Sequence, residues 1–107
     1  MTTETETPVL DLLSKMTADS IEASTLDEKT LMQVRIAALV AMDAPPASYL
    51  MNLGVAREIG ITEEHVRGVL TAVAPIVGTA RVASATTNIV RALAFAIESV
   101  EDEELEA

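Results

Sequence analysis

Apolar residues recur along this chain at the three- and four-residue spacing of helices, and no stretch alternates as a strand would. Val9, Leu12, Leu13 and Met16 form the first stripe. Thr7-Pro8 precedes it: Thr can cap a helix, and Pro suits the first position because the N–H it lacks has no intrahelical partner there. The pattern weakens through Thr17-Ala18-Asp19-Ser20, which predicts a bend or restart before Ala23. Thr25-Leu26-Asp27-Glu28 fits a capping box and predicts a second helix to about Met42. The second half of that helix, Ile36 to Met42, is apolar on every face and is expected to be central and buried.

Pro45 and Pro46 end this helix and open a third, to about Ile59, with Leu50, Leu53 and Val55 inward and Gly60 as a left-handed stop. Thr62 caps a fourth, with Glu63 and Glu64 in the first turn, where the helix dipole favours acids. Val66, Val69, Leu70, Val73 and Val77 give it an apolar stripe, which Pro75 is expected to kink or end and Gly78 to break. The fifth runs from about Thr79 to Val100, with Val82, Ile89, Leu93 and Ile97 on one face. Ala80, Ala83, Ser84, Ala85 and Ala92 allow a neighbouring helix close. The expectation is an all-α bundle of five to six helices over residues 7–97, after a disordered segment 1–6 and before an acidic tail 98–107.

Charge sharpens this division. The formal charge is −10, yet eight of the seventeen acids lie at the two ends (Glu4 and Glu6; Glu98, Glu101, Asp102, Glu103, Glu104 and Glu106). The span between carries nine acids against seven Lys and Arg, a net of −2. A near-neutral body with acidic ends lacks the basic footprint that nucleic acid or an anionic membrane requires. With no cysteine, this chain has no disulfide, thiolate metal site or thiol redox chemistry. One histidine without partners gives no metal set, and no cofactor is expected. The apolar run is too short to cross a bilayer and no signal peptide is visible, so a cytoplasmic location is expected. Tyr49 and Phe95 are the only aromatics, so the apolar mass is aliphatic; in a chain of 107 residues, that suggests burial against other copies.

The order of motifs resembles the carboxymuconolactone decarboxylase family, which includes the alkylhydroperoxidase AhpD-like proteins. Leu26-Asp27-Glu28-Lys29-Thr30 resembles the family's "LDxKT" opening of its central helix, and Ala37-Ala38-Leu39-Val40-Ala41 the Ala-rich run after it. Gly60-Ile61-Thr62-Glu63-Glu64-His65-Val66 is similar to its "GxTxEEI" turn, and Ala74-Pro75-Ile76-Val77-Gly78-Thr79-Ala80 to its "AxYxGxPA" segment. The resemblance spans roughly residues 8–96. It implies an AhpD-like helical fold and assembly as a homotrimer or homohexamer.

It also implies a place for the family's reactive groups. Relative to Gly60, the two cysteines of the AhpD-like branch fall at Pro45 and Ser48 and the histidine at Asn52. An assisting glutamate falls at Met32, or at Gln33 if the loop slips by one residue. None of the four is retained, and the decarboxylase branch's histidine is also replaced by Asn52. The expected function is therefore a non-redox, non-catalytic oligomeric protein that binds a small apolar molecule or acts as a scaffold. The alternative is a thiol-independent lactone decarboxylase or isomerase on a small carboxylic acid.

Residue by residue, the sharp readings stand beside plainer ones. Ser48 is a candidate nucleophile or ligand contact; in a proline-started first turn it equally suits a local backbone bond. Tyr49 and His65 are the weak acid–base candidates, and His65 follows two acids in a first helical turn that is usually exposed. The Asn52 amide could orient a ligand carbonyl or be satisfied within an oligomer contact. Arg35 could receive a substrate carboxylate, or lie on the less buried face of its helix. Arg81 and Arg91 could pair acids of a neighbouring subunit. The methionines, including Met32, Met42 and Met51, could line a soft pocket but more simply fill gaps in a core short of aromatics.

Overall fold

The computed structural model describes the backbone of residues 7–106 and the side chains of residues 7–94. The segment expected to be disordered, 1–6, lies outside the described residues. Five helices follow one another: α1 (Pro8–Ala23), α2 (Glu28–Ala41), α3 (Pro46–Glu58), α4 (Glu63–Val77) and α5 (Thr79–Glu106). Among the described residues there is no strand, and the all-α expectation holds.

α2 packs chiefly on α4, and α3 on α5, with further contacts of α2 with α3 and α5 and of α4 with α5. The core has two lobes along α2. Leu31, Met32 and Ile36 meet Ala56, Ile61 and Val69 in one. Val40 and Ala44 meet Tyr49, Ala85, Ile89 and Ala92 in the other. Helix approach in the second lobe depends on small residues: Ala85 and Ala92 are buried on α5 as their composition suggested, whereas Ala80 and Ala83 face solvent.

Several local expectations are corrected. α1 is one continuous helix without a bend or restart. The N-cap of α2 is Asp27 and not Thr25: its carboxylate accepts the Thr30 N–H at 2.7 Å, and a carboxylate already there leaves Thr25 outside the helix. α2 is buried along one face, Val34 and Met42 being exposed, because the helices that chiefly pack on it, α3, α4 and α5, cover that face. On α3 the inward residues are Tyr49 and Ala56, with Leu50 and Leu53 half-buried and Val55 exposed. Pro75 does not end α4. It sits in the last turn, and the helix stops at Gly78, whose φ of 89° and ψ of 162° few other residues adopt. The buried line of α5 is Ala85, Ile89 and Ala92; Leu93 is exposed, and the Ile97 side chain lies outside the described residues. α5 continues to Glu106 because no Gly or Pro interrupts 101–106.

α1 stands apart. It buries none of its residues, and Val9, Leu10, Leu12, Leu13, Met16 and Ile21 are all exposed. The chain is correspondingly extended: its radius of gyration is 15.4 Å, against about 13 Å for a compact domain of this length.

Candidate functional site

The turn between α2 and α3, where the sequence places the site, is built by two backbone devices. Asp43 takes a left-handed φ of 53°. Its N–H bonds Val40 O at 3.1 Å, and Ala44 N–H bonds Leu39 O at 3.0 Å. This is the Schellman pattern, with Asp in the place glycine usually holds. The strain is offset from α5, where Ser84 Oγ donates to the Asp43 carboxylate at 2.5 Å. Asn88 Nδ2 donates to Ala44 O at 3.1 Å, and the Arg81 guanidinium to Ala41 O. Pro45 and Pro46 then open α3.

Arg81, Ser84 and Asn88 recur at i, i+3 and i+7, so one stripe of α5 grips the turn after α2 through the Ala41 and Ala44 carbonyls and the Asp43 carboxylate. Sequence reasoning missed this clasp. Arg81, a candidate to pair acids of a neighbouring subunit, bonds Ala41 O within its own chain. The polar i, i+3, i+7 spacing, opposite an Asp between two helices, was the available signal.

Ser48, Tyr49 and Asn52 share the first turns of α3. Asn52 Nδ2 donates to Ser48 O at 2.8 Å, so its own helix holds one N–H of the amide. Tyr49 is fully buried (0 % exposed) among Val40, Ala44, Ala85, Ile89 and Ala92. Its hydroxyl has no hydrogen-bond partner among the described residues. Burial, and then the negative Asp43 nearby, push its ionisation above the ordinary phenol range.

Arg35 and His65 are engaged elsewhere. The Arg35 guanidinium donates to Thr17 O at 3.3 Å and to Ser20 Oγ, and so ties α2 to α1. His65 completes the capping box of α4: its Nδ1 accepts the Thr62 N–H at 3.0 Å, and Thr62 Oγ1 accepts the His65 N–H at 3.3 Å. A neutral ring held this way carries its proton on Nε2.

Two concavities flank these residues. A shallow recess of about 470 Å³ is lined by Gln33, Thr62, Glu64, His65, Gly68, Val69 and Ala72. It joins His65 to Gln33 but includes none of Ser48, Tyr49, Asn52 or Arg35. Met32, the other position for the family's glutamate, is buried in the first core lobe. The second is an apolar groove of about 650 Å³ between α3, α4 and α5, with Leu50, Leu53, Val66, Leu70, Ile89 and Leu93 along its walls. Arg57 and Arg67 also line it. Its signal in the sequence was the half-exposed aliphatic residues of three helices, which read simply as core.

A model of the Carboxymuconolactone decarboxylase family matches residues 8–92, from the start of α1 to the last buried turn of α5. Comparison with curated proteins gives no match. Nor does any solved structure match. Among the described residues, no helix is long and apolar enough to cross a membrane.

Proposed function

This chain belongs to the carboxymuconolactone decarboxylase family, and from that premise we propose that it is a non-redox, non-catalytic member, a self-assembling scaffold of the cytoplasm. The observation that carries the reading is the state of the turn where relatives hold reactive groups. Ser48 and Asn52 stand in place of a thiol and an imidazole, and Asn52 is spent on the Ser48 carbonyl. Tyr49, the acid–base candidate beside them, is sealed in the core, and the Asp43 carboxylate in the turn accepts from Ser84. A hydroxyl without a base at reach is a poor nucleophile. Thiol chemistry has no carrier in a chain without cysteine.

Assembly as a trimer or hexamer belongs to the same reading and gains support from α1, an apolar helix that its own subunit leaves uncovered. A small apolar molecule between the subunits is compatible with it. The competing reading is a thiol-independent lactone decarboxylase or isomerase. It is favoured by one feature, the recess that sets His65 beside Gln33, Thr62 and Glu64. The test is to incubate the purified protein with a γ-lactone bearing a second carboxylate and follow carbon dioxide release and loss of the lactone. The scaffold reading expects no rate above buffer. Turnover that His65→Gln abolishes would replace it with the enzyme reading.

A further inference from the structure

α1 is inside the matched family domain, yet it contributes nothing to its own subunit's core. Val9, Leu12, Leu13 and Met16 recur at i, i+3, i+4 and i+7, so they form one stripe, and each is 48–66 % exposed. Arg35 of α2 ties α1 to the rest of the subunit by binding Thr17 and Ser20 at the far end of the helix. The other half of α1 carries the exposed stripe.

The groove between α3, α4 and α5 is the complementary surface. Leu50, Leu53, Val66, Leu70, Ile89 and Leu93 wall it, and Leu93 and the adjoining Val90 are 48 % and 60 % exposed. Charge is complementary as well. α1 bears Asp11, Asp19 and Glu22 against one lysine, Lys15, which itself pairs with Asp19. The groove brings Arg57 and Arg67, of which Arg67 pairs with Glu63, and Arg91 follows Val90 on the exposed side of α5.

An amphipathic helix of sixteen residues, about 24 Å long, laid in a hydrophobic groove is a known recognition mode.

We propose that α1 of one copy lies in the α3/α4/α5 groove of a second copy, with its Val9–Leu12–Leu13–Met16 stripe against Leu53, Val66, Leu70 and Leu93. The inference rests on the self-assembly proposed above and names the surfaces that perform it. The contact joins two different patches, so it is reciprocated in a two-fold pair or closed around a ring. Each groove is filled by a neighbour, and the site around α3 is roofed only in the assembly.

The absence of cysteine makes the test clean. Two differently tagged copies are co-expressed, one carrying Met16→Cys and the other Gly54→Cys, and treated with a short bismaleimide. Gly54 lines the groove, and a Cβ placed there meets nothing within 4 Å. Cross-linked heterodimers, with little product from either variant alone, are the expected result. An assembly in native mass spectrometry that gives no heterodimer, or Met16→Cys copies that link to each other, overturns this docking while self-assembly stands. A monomer by mass overturns both. A small molecule retained in a monomer's groove overturns the docking as well. As a second readout, the Leu12→Glu, Leu13→Glu variant should weaken association at least tenfold with its helical circular dichroism intact, since α1 buries nothing in its own subunit. Association unchanged in that variant contradicts the proposal.

Discussion

Tyr49 separates two ideas about the turn, and Tyr49→Phe is the perturbation that tells them apart. If the phenol is a working group, its hydroxyl has a partner to lose. In the structure it has none, while the ring is 0 % exposed in the second core lobe. A buried hydroxyl without a hydrogen bond costs about 1–3 kcal/mol of desolvation. Replacing it by hydrogen should therefore be neutral or stabilise by about 1 kcal/mol. Tyr49→Ala removes the ring as well, and truncating a buried aromatic costs about 3–5 kcal/mol, a large part of a typical 5–15 kcal/mol total.

Urea unfolding at matched protein concentration measures both, because association makes the midpoint depend on concentration. With a slope of about 1–2 kcal/mol per molar, Tyr49→Phe should leave the midpoint unchanged or raise it by roughly 0.5–1 M. Tyr49→Ala should lower it by more than about 1.5 M on the same scale. A loss of 1 kcal/mol or more in Tyr49→Phe, with an unchanged slope, would refute the reasoning: the hydroxyl would then have a partner, and Tyr49 would return as a site residue.

Tyr49 is the only tyrosine, so tyrosinate absorbance reports it alone, and its midpoint should lie above the ordinary phenol value of about 10. The unfolded phenol ionises first as pH rises. The stability tied to this group is thus complete below pH 10 and is lost as pH climbs through the folded value, a decline that Tyr49→Phe should abolish. The Asp27 carboxylate is held below its ordinary range by the Thr30 N–H. Its contribution is present above the unfolded value near pH 4 and is lost as pH falls through the folded one, so Asp27→Ala should lower the melting temperature at neutral pH and converge with the parent in acid. Gly78→Ala meets no neighbouring atom but sits at φ 89°, so it should cost about 1–3 kcal/mol through backbone strain alone. A substitution there without effect on thermal unfolding would show that the α4–α5 break is not rigid.

Helix number and order could be read from the sequence because each stripe is punctuated by chemically distinct stops and starts: Pro45-Pro46, Gly60-Ile61-Thr62 and Gly78-Thr79. Which face is buried was less legible. Ile36 to Met42 is apolar all round, and periodicity cannot show that Ala38 and Met42 stay outside while Ile36 and Val40 are buried. Val55 and Leu93 failed for the same reason, since a groove wall and a core wall have one composition. At the site, the positions Pro45, Ser48 and Asn52 could be singled out only through the family resemblance, counted back from Gly60. That Asn52 is bonded to Ser48, Arg35 to α1 and His65 to Thr62 was not legible, because these are choices of rotamer and neighbour. The Arg81–Ser84–Asn88 clasp joins residues forty or more positions apart: the i, i+3, i+7 spacing marks a polar stripe on α5, but no local pattern names its partner.

Native mass spectrometry on protein purified gently from its own host tests the central claim most directly, since one spectrum reads assembly and cargo together. The account predicts a trimer or hexamer of the 11.3 kDa chain, with the same mass after the γ-lactone has been added and removed. A monomer at the same concentrations would contradict self-assembly. An assembly carrying a covalent or tightly held product of the lactone would contradict the claim that the fold has outlived its chemistry.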